Sequence, residues 1–329
     1  LYRNKKHLSL NLKSDEGKSI FSQLAERCDV LIEGFRPGVA ARLGLDFATI
    51  HERFPAIVYC SISGYGQDSS WADKAGHDIN YLGTSGILNL IGPAAGPPSI
   101  PGIQIADIGG SMNAVIGILL ALLARTQSGK GQYVDISMTD SLLGFLSLPH
   151  YFYGETGKAP KRSDELLSHR YGCYNTYRTA DGSAVAVGAL EHRFWVQLCG
   201  ALGIEEYADH QFDEQRREEI IDRLGQIFLG KSGREWEQHL QGKDVCCTRV
   251  LDFDEVLDHP LFREREMIVE VEEPDGTTTK ALGIGVKLNS TPGSLRSAPA
   301  RFGQHNKEIL HGLGYSDAQI EDLKTRRVI

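Results

Sequence analysis

The stretch that decides the fold is residues 7–35, HLSLNLKSDEGKSIFSQLAERCDVLIEGF. Its first six residues alternate apolar and polar side chains, the period of a half-buried strand. Ser14, with Asp15 and Glu16 behind it, makes an N-cap and an acidic first turn, which predicts a helix from Asp15 to about Arg27. CDVLIEGF then reads as a short buried strand closed by a glycine. The order repeats at once: ATIHERFP (48–55) is helical and stops before Pro55, and AIVYCSIS (56–63) is β-branched and strand-like. Strand, helix, strand, helix, strand is the pattern of an α/β layer on a parallel sheet.

Beyond this layer, the loop GYGQDSSWADK (64–74) leads into AGHDINYLG (75–83), and the Gly/Pro-rich GPAAGPPSIPG (92–102) precedes IQIADIGG (103–110). The following run to Thr126 is apolar nearly all round, which predicts the most buried helix of the chain. YVDISM (133–138) reads as a strand, TDSLLGFLSL (139–148) as a helix, and residues 151–170 mix Pro, Gly and charge like a linker. From Tyr171 the pattern changes to α+β. YGCYNTYRTADGSAVAVGAL is a hairpin turning at Ala180-Asp181-Gly182, FWVQLCGALG, RREEIIDRLGQIFLG and REWEQHLQG are amphipathic helices, and a second hairpin turns at Pro274-Asp275-Gly276. One more helix lies in the tail RFGQHNKEILHGLG.

A chain of 329 residues is long for one core, so two domains are expected. Hydrophobic residues at 41% and charged residues at 24% match a soluble globular protein and exclude a disordered one. The net charge of −8 argues against nucleic acid or an anionic membrane as a general partner. The longest apolar run, Ala114 to Ala124, is short for a bilayer span and fits a core helix. Six cysteines with no CxxC or zinc spacing read as reduced, buried thiols in a cytoplasmic protein. The chain starts at Leu1, without a signal peptide and as if in the middle of an element, so its natural N-terminus is expected to lie further upstream.

No phosphate-binding G-x-x-x-x-G-K-[ST] loop, dinucleotide G-x-G-x-x-G or G-x-S-x-G elbow is present. Asp107 stands out among the acids, because it precedes Gly109 and Gly110 at the mouth of the apolar helix. There it is either a simple N-cap or a carboxylate working beside amides that could hold an enolate oxygen. His77 is either a hydrogen-bonded histidine at a helix entrance or an acid/base group oriented by Asp78 or Glu191; Asp78 itself reads as an ordinary first-turn acid. Lys5, Lys6, Lys13, Arg36, Arg42 and Lys74 fall on loops and element ends; together, in an acidic protein, they point to a phosphate-bearing ligand.

Taken in order, LNLKSDEG, EGFRPGVAARLGL, AGHDINYLGTSGIL, ADIGGSMNAVIGILLALLARTQSGKGQYVDISM, YRTADGSAVAVGALEHRFW and FGQHNKEIL resemble the family III CoA-transferase superfamily of the CaiB/BaiF type, and within it most of all the α-methylacyl-CoA racemases. The resemblance implies a large Rossmann-like domain with a parallel sheet and a smaller α+β domain, in a homodimer of interlocked chains. Residues 1–150 and 295–329 would form the large CoA-binding domain and 171–285 the small one, joined by linkers 151–170 and 286–294. On that resemblance, the family's first strand, helix and strand are expected to lie upstream of Leu1.

By the same resemblance, His77 and Asp107 face the acyl α-carbon from opposite sides, and Glu191 supports the histidine. CoA contacts fall on Leu10, Lys13, Phe35, Arg42, Lys74 and Gly76. The implied reaction is 1,1-proton transfer on a 2-methylacyl-CoA thioester, with CoA as part of the substrate and neither metal nor redox cofactor. Two alternatives stand beside it: a CoA-transferase working through an anhydride at Asp107, and an inactive CoA-binding subunit.

Overall fold

The computed structural model describes residues 3–272 and 276–329. The first helix is α1, Asp15–Ala25, and Ser14 Oγ caps it by accepting the Gly17 amide at 3.1 Å. A Cβ on Gly17 would lie 2.0 Å from the Asn11 carbonyl oxygen, so the chain enters this helix too tightly for any other residue. β1 (Val30–Glu33), α2 (Val39–Leu43), α3 (Phe47–Arg53) and β2 (Val58–Ser63) follow as the alternation requires. β1 and β2 pair in parallel, Val30 opposite Val58 and Glu33 opposite Ser61. Residues of β2 are buried at five of its six positions, as expected of a sheet covered on both faces.

The chain continues through α4 (Asp78–Ser85), α5 (Ile105–Ser128), β3 (Tyr133–Ser137), α6 (Met138–Leu143) and α7 (Ser147–Thr156). β3 completes a sheet of order β1-β2-β3. β4 (Tyr174–Arg178), β5 (Ala184–Gly188), α8 (His192–Leu202), α9 (Arg217–Phe228), α10 (Gly233–Leu240) and β6 (Cys247–Arg249) form the α+β region. α11 (Phe253–Asp258), α12 (Pro260–Glu264), β7 (Ile268–Glu272), β8 (Thr278–Leu282), α13 (Asn306–Gly312) and α14 (Asp317–Thr325) close the chain. Both expected hairpins form, with Tyr174 opposite Gly188 in β4/β5 and Ile268 opposite Leu282 in β7/β8. Pro274 and Asp275 of the second turn lie outside the described residues.

Two compact units share these elements. One comprises the chain up to Ser61, Ile116–Val134 and the chain from Asp252; the other comprises Ile62–Val115 and Asp135–Leu251. In the first, Ile20, Leu310, Ile320, Leu323 and Val328 form a core between α1 and the last two helices. In the second, Trp195, Leu198, Cys199, Leu224, Phe228 and Trp236 fill the space between α8–α10 and the β4-β5-β6 sheet.

Three expectations are corrected. Residues 7–12 form no strand. Their polar groups are taken one by one from the C-terminal segment: the Ser9 amide by Asn306 Oδ1 at 2.9 Å, the Asn11 amide by the Val328 carbonyl at 2.8 Å. Leu8 and Leu10 pack onto the α1/α14 core, so the alternation reports burial, not sheet pairing.

The helix expected to be most buried is not buried. Only one line of α5 is covered, running through Ala106, Gly110, Ala114, Ile118 and Ala121. Ile108, Met112, Val115, Ile116, Leu119, Leu120 and Leu123 are between 47% and 63% exposed on the other side. The small side chains allow close packing on one flank and leave the large ones outward. With 24 residues, α5 is also long and apolar enough to cross a bilayer by length and composition, which the shorter run Ala114–Ala124 did not indicate.

The cysteines are all free, but only Cys60, Cys173 and Cys199 are buried, while Cys28 and Cys246 are exposed.

Candidate active site

His77 is the N-cap of α4, in extended backbone (φ −128°, ψ 174°), with its amide held by Asn80 Oδ1 at 3.0 Å. The approach to it is fixed by Tyr81, one turn into the helix, whose hydroxyl donates to the Gly76 carbonyl at 2.7 Å. The Tyr81 ring also fills the space beside two glycines: a Cβ on Gly64 or on Gly76 would lie 2.6 Å from its Cε1. Tyr65 meets Tyr81 edge-on at 5.2 Å and Trp71 at 5.5 Å, and Lys74 Nζ sits 3.1 Å from the centre of the Trp71 ring. An aromatic group thus sets the loop from which His77, exposed to solvent, projects.

α5 begins at Ile105 behind Gln104, which is not a good capping residue. The cap comes from α4 instead. Asp78 Oδ1 accepts the amides of Ala106 at 2.6 Å and Asp107 at 3.2 Å. The next amide, of Ile108, bonds to the Gln104 carbonyl at 3.0 Å. The amides of Ala106 and Asp107 that the sequence offered for an enolate oxygen are therefore already taken, and that expectation is corrected.

The same contacts free Asp107 from capping: it is a first-turn residue of α5 with an exposed side chain. Its carboxyl is pushed above the ordinary value of 3.8, first by the partial desolvation that neighbouring protein imposes, then by the negative charge of Asp78; His77 pulls the other way. Gly109 and Gly110, one turn on, lie against the ring of Phe145 and the side chain of Met138, where a Cβ would come within 3.3 Å and 2.7 Å of them.

Glu191 is the N-cap of α8, exposed, and near Cys246. Partial desolvation by neighbouring protein raises the Cys246 thiol, and the charges of Asp244 and Glu191 add to the effect. Among the described residues no hydrogen bond joins Glu191 to His77.

The residues expected to touch CoA divide between the two units, with Leu10, Lys13, Phe35 and Arg42 in the first and Lys74 and Gly76 in the second. Leu10 packs onto the α1/α14 core and also lines a cleft of about 640 Å³ with Phe302, Lys307 and Arg327. The Lys13 amide is held by Asn11 Oδ1 at 3.1 Å, and Phe35, 39% exposed, donates its amide to Glu33 Oε2 at 2.7 Å. Arg42 lies in the last turn of α2, exposed. Of the other basic residues, Lys6 is engaged with Glu308 at 2.6 Å.

A histidine caps one helix, and the aspartate after it bonds to the start of the helix whose first turn carries a carboxyl. Residues 1–306 match the model of CoA-transferase family III. The chain belongs to this family. This family III chain is 36% identical to human α-methylacyl-CoA racemase over 338 residues, covering 100% of itself and 86% of that protein. It is 30% identical over 336 residues to succinyl-CoA–D-citramalate CoA-transferase of Chloroflexus aurantiacus, covering 100% of itself and 83% of the other. Among solved structures it is similar to a CaiB/BaiF family protein of Brucella suis, with a TM-score of 0.79, 25% identity, and coverage of 95% of this chain and 82% of that one. Racemases and transferases are thus both among the relatives of this family III protein.

The sequence presents Asp78 as an orienter of His77 or an ordinary first-turn acid, not as the cap of α5, and gives Tyr81 no functional role. The missing cap ahead of Ile105 was a signal for the first: a 24-residue helix without its own capping residue needs an acceptor from elsewhere. Tyr81 carried no such signal, since its contacts with Gly64 and Gly76 depend on the loop's path.

Proposed function

We propose that this family III protein is an α-methylacyl-CoA racemase, with His77 and Asp107 as its acid/base pair. The observation that carries the reading is geometric: Asp78, the residue after His77, accepts the amides of Ala106 and Asp107, so the start of α4 is bonded to the start of α5. The α-proton of a thioester is acidic because the enolate spreads charge onto oxygen. One group of the pair removes that proton from one face, and the other delivers a proton to the opposite face. An Asp107 carboxyl held above the usual carboxylate range suits a group that must give a proton as well as take one.

Glu191 supports the histidine in this proposal, and Leu10, Lys13, Phe35, Arg42, Lys74 and Gly76 contact CoA. CoA enters as part of the substrate, and proton transfer calls on no metal or redox cofactor. The reading keeps a large CoA domain of residues 1–150 and 295–329 and a small one of 171–285, in a cytoplasmic protein. It also takes the assembly to be a homodimer. The exposed apolar stripe of α5 favours this, since such a patch on a soluble chain needs a cover, and a second copy supplies one.

A transferase reading is favoured by the relatives of that activity and by the exposure of Asp107, which would then attack the thioester carbonyl as a nucleophile. Incubation with one epimer of a 2-methylacyl-CoA in deuterium oxide separates the two. The racemase incorporates deuterium at the α-carbon and scrambles the centre. A transferase leaves the α-proton in place, moves CoA to an added free acid and yields an Asp107 hydroxamate with hydroxylamine.

A further inference from the structure

We infer that Asp78 is the positioning residue for Asp107, joining the cap of α4, where His77 sits, to the first turn of α5. The inference rests on the reading of Asp107 as a reacting carboxyl and adds a residue to it. Asp78 is the first residue of α4 and is bonded directly to its N-cap, His77. Its Oδ1 is fixed by two amides of α5, one of them the amide of Asp107 itself. An imidazole and a carboxyl 30 positions apart in sequence are thereby linked by one polar side chain, beside the packing of Tyr81 and Leu82 with Ala106.

Two consequences follow from the chemistry of that side chain. As an acceptor, Asp78 stops the first turn of α5 from fraying, and a frayed turn would let the Asp107 carboxyl wander. As an anion, it stands next to Asp107 and disfavours a second negative charge there. Asp78 pushes the Asp107 carboxyl up and His77 pulls it down, both from the start of α4, while Met138 of α6 and Phe145 after it lie against Gly110 and Gly109. A plain helix cap would need only the acceptor. Asparagine retains the acceptor and lacks the charge, so the two contributions separate.

The test uses the full chain as wild type, Asp78→Asn and Asp78→Ala. The Asp107 carboxyl is titrated by carbon NMR of labelled aspartate, its signal assigned by loss in Asp107→Asn, and α-proton exchange is measured alongside. The expected result is a lower Asp107 midpoint in Asp78→Asn, with the acidic limb of the exchange profile following it. In Asp78→Ala, kcat should fall by roughly tenfold to a hundredfold while KM changes little, because misplacement costs turnover more than binding. Asp78→Asn also answers if the alanine variant fails to fold. An Asp107 midpoint unmoved in Asp78→Asn, or a kcat in Asp78→Ala equal to wild type, overturns the inference. Should wild type exchange no α-proton while the Asp107 midpoint still shifts, the racemase reading falls and the positioning role stands.

Discussion

Asp107 and His77 are exposed, so replacing either should change chemistry far more than stability. His77→Gln is expected to lower α-proton exchange at least about a hundredfold, the usual contribution of a positioned acid/base group. Its stability should fall by no more than the usual cost of altering a helix cap, about 0.5–2 kcal/mol. Asp107→Asn should differ in a telling way. A carboxyl raised above its unfolded value stabilises the fold most at pH below the ordinary 3.8, and that contribution is lost as pH rises through the raised value. Asp107→Asn should therefore melt higher than wild type at neutral pH, with the gap closing as pH falls below the ordinary carboxylate range; calorimetry at both ends checks this. A mutant that melts lower at neutral pH would show that the carboxylate is held by favourable contacts instead. At this scale the sequence was legible where a residue type carries its chemistry with it. His77 and Asp107 could be picked out as candidates, whereas the Asp78 cap could not, because its partners lie 28 and 29 residues on and only the fold brings them within hydrogen-bond reach.

The elements α4 and α5 hold the site because their starts are built from close contacts. Gly76 has no room for a side chain beside Tyr81. Gly76→Ala should destabilise by about 1–3 kcal/mol, the usual cost of overpacking, and displace the loop leading to His77; denaturant unfolding together with exchange kinetics tests both effects. Tyr81→Phe, which loses the bond to the Gly76 carbonyl, should cost about 1 kcal/mol. Most elements could be placed from sequence because period and punctuation agree: Ser14 starts α1, Pro55 follows α3, and Asp181-Gly182 turns β4 into β5. Residues 7–12 show the limit. Alternation records which side chains are buried, and the backbone partners there come from residues near 306 and 328. α5 shows a second limit, since a helix apolar on every side does not say which side its own chain will cover.

At the scale of the whole molecule, the outward stripe of α5 is the feature a single chain leaves unexplained. If a second copy covers it, Leu119→Lys or Leu120→Lys should shift sedimentation toward monomer and reduce activity, while Lys substitutions at exposed sites away from α5 leave both unchanged. The α/β character, the parallel pairing of β1 with β2 and membership of CoA-transferase family III were all within reach of the sequence, as the fold and the relatives bear out. The choice between proton transfer and acyl transfer was not, because both begin from the same aspartate. The most direct measurement follows each epimer of a 2-methylacyl-CoA separately in deuterium oxide with His77→Gln and with Asp107→Asn, scoring deuterium entry apart from inversion. On a two-sided proton transfer, each variant loses inversion, and whatever slow deuterium entry remains is confined to opposite epimers in the two variants. Inversion at the wild-type rate in either variant, or the same epimer preference in both, would contradict the pair.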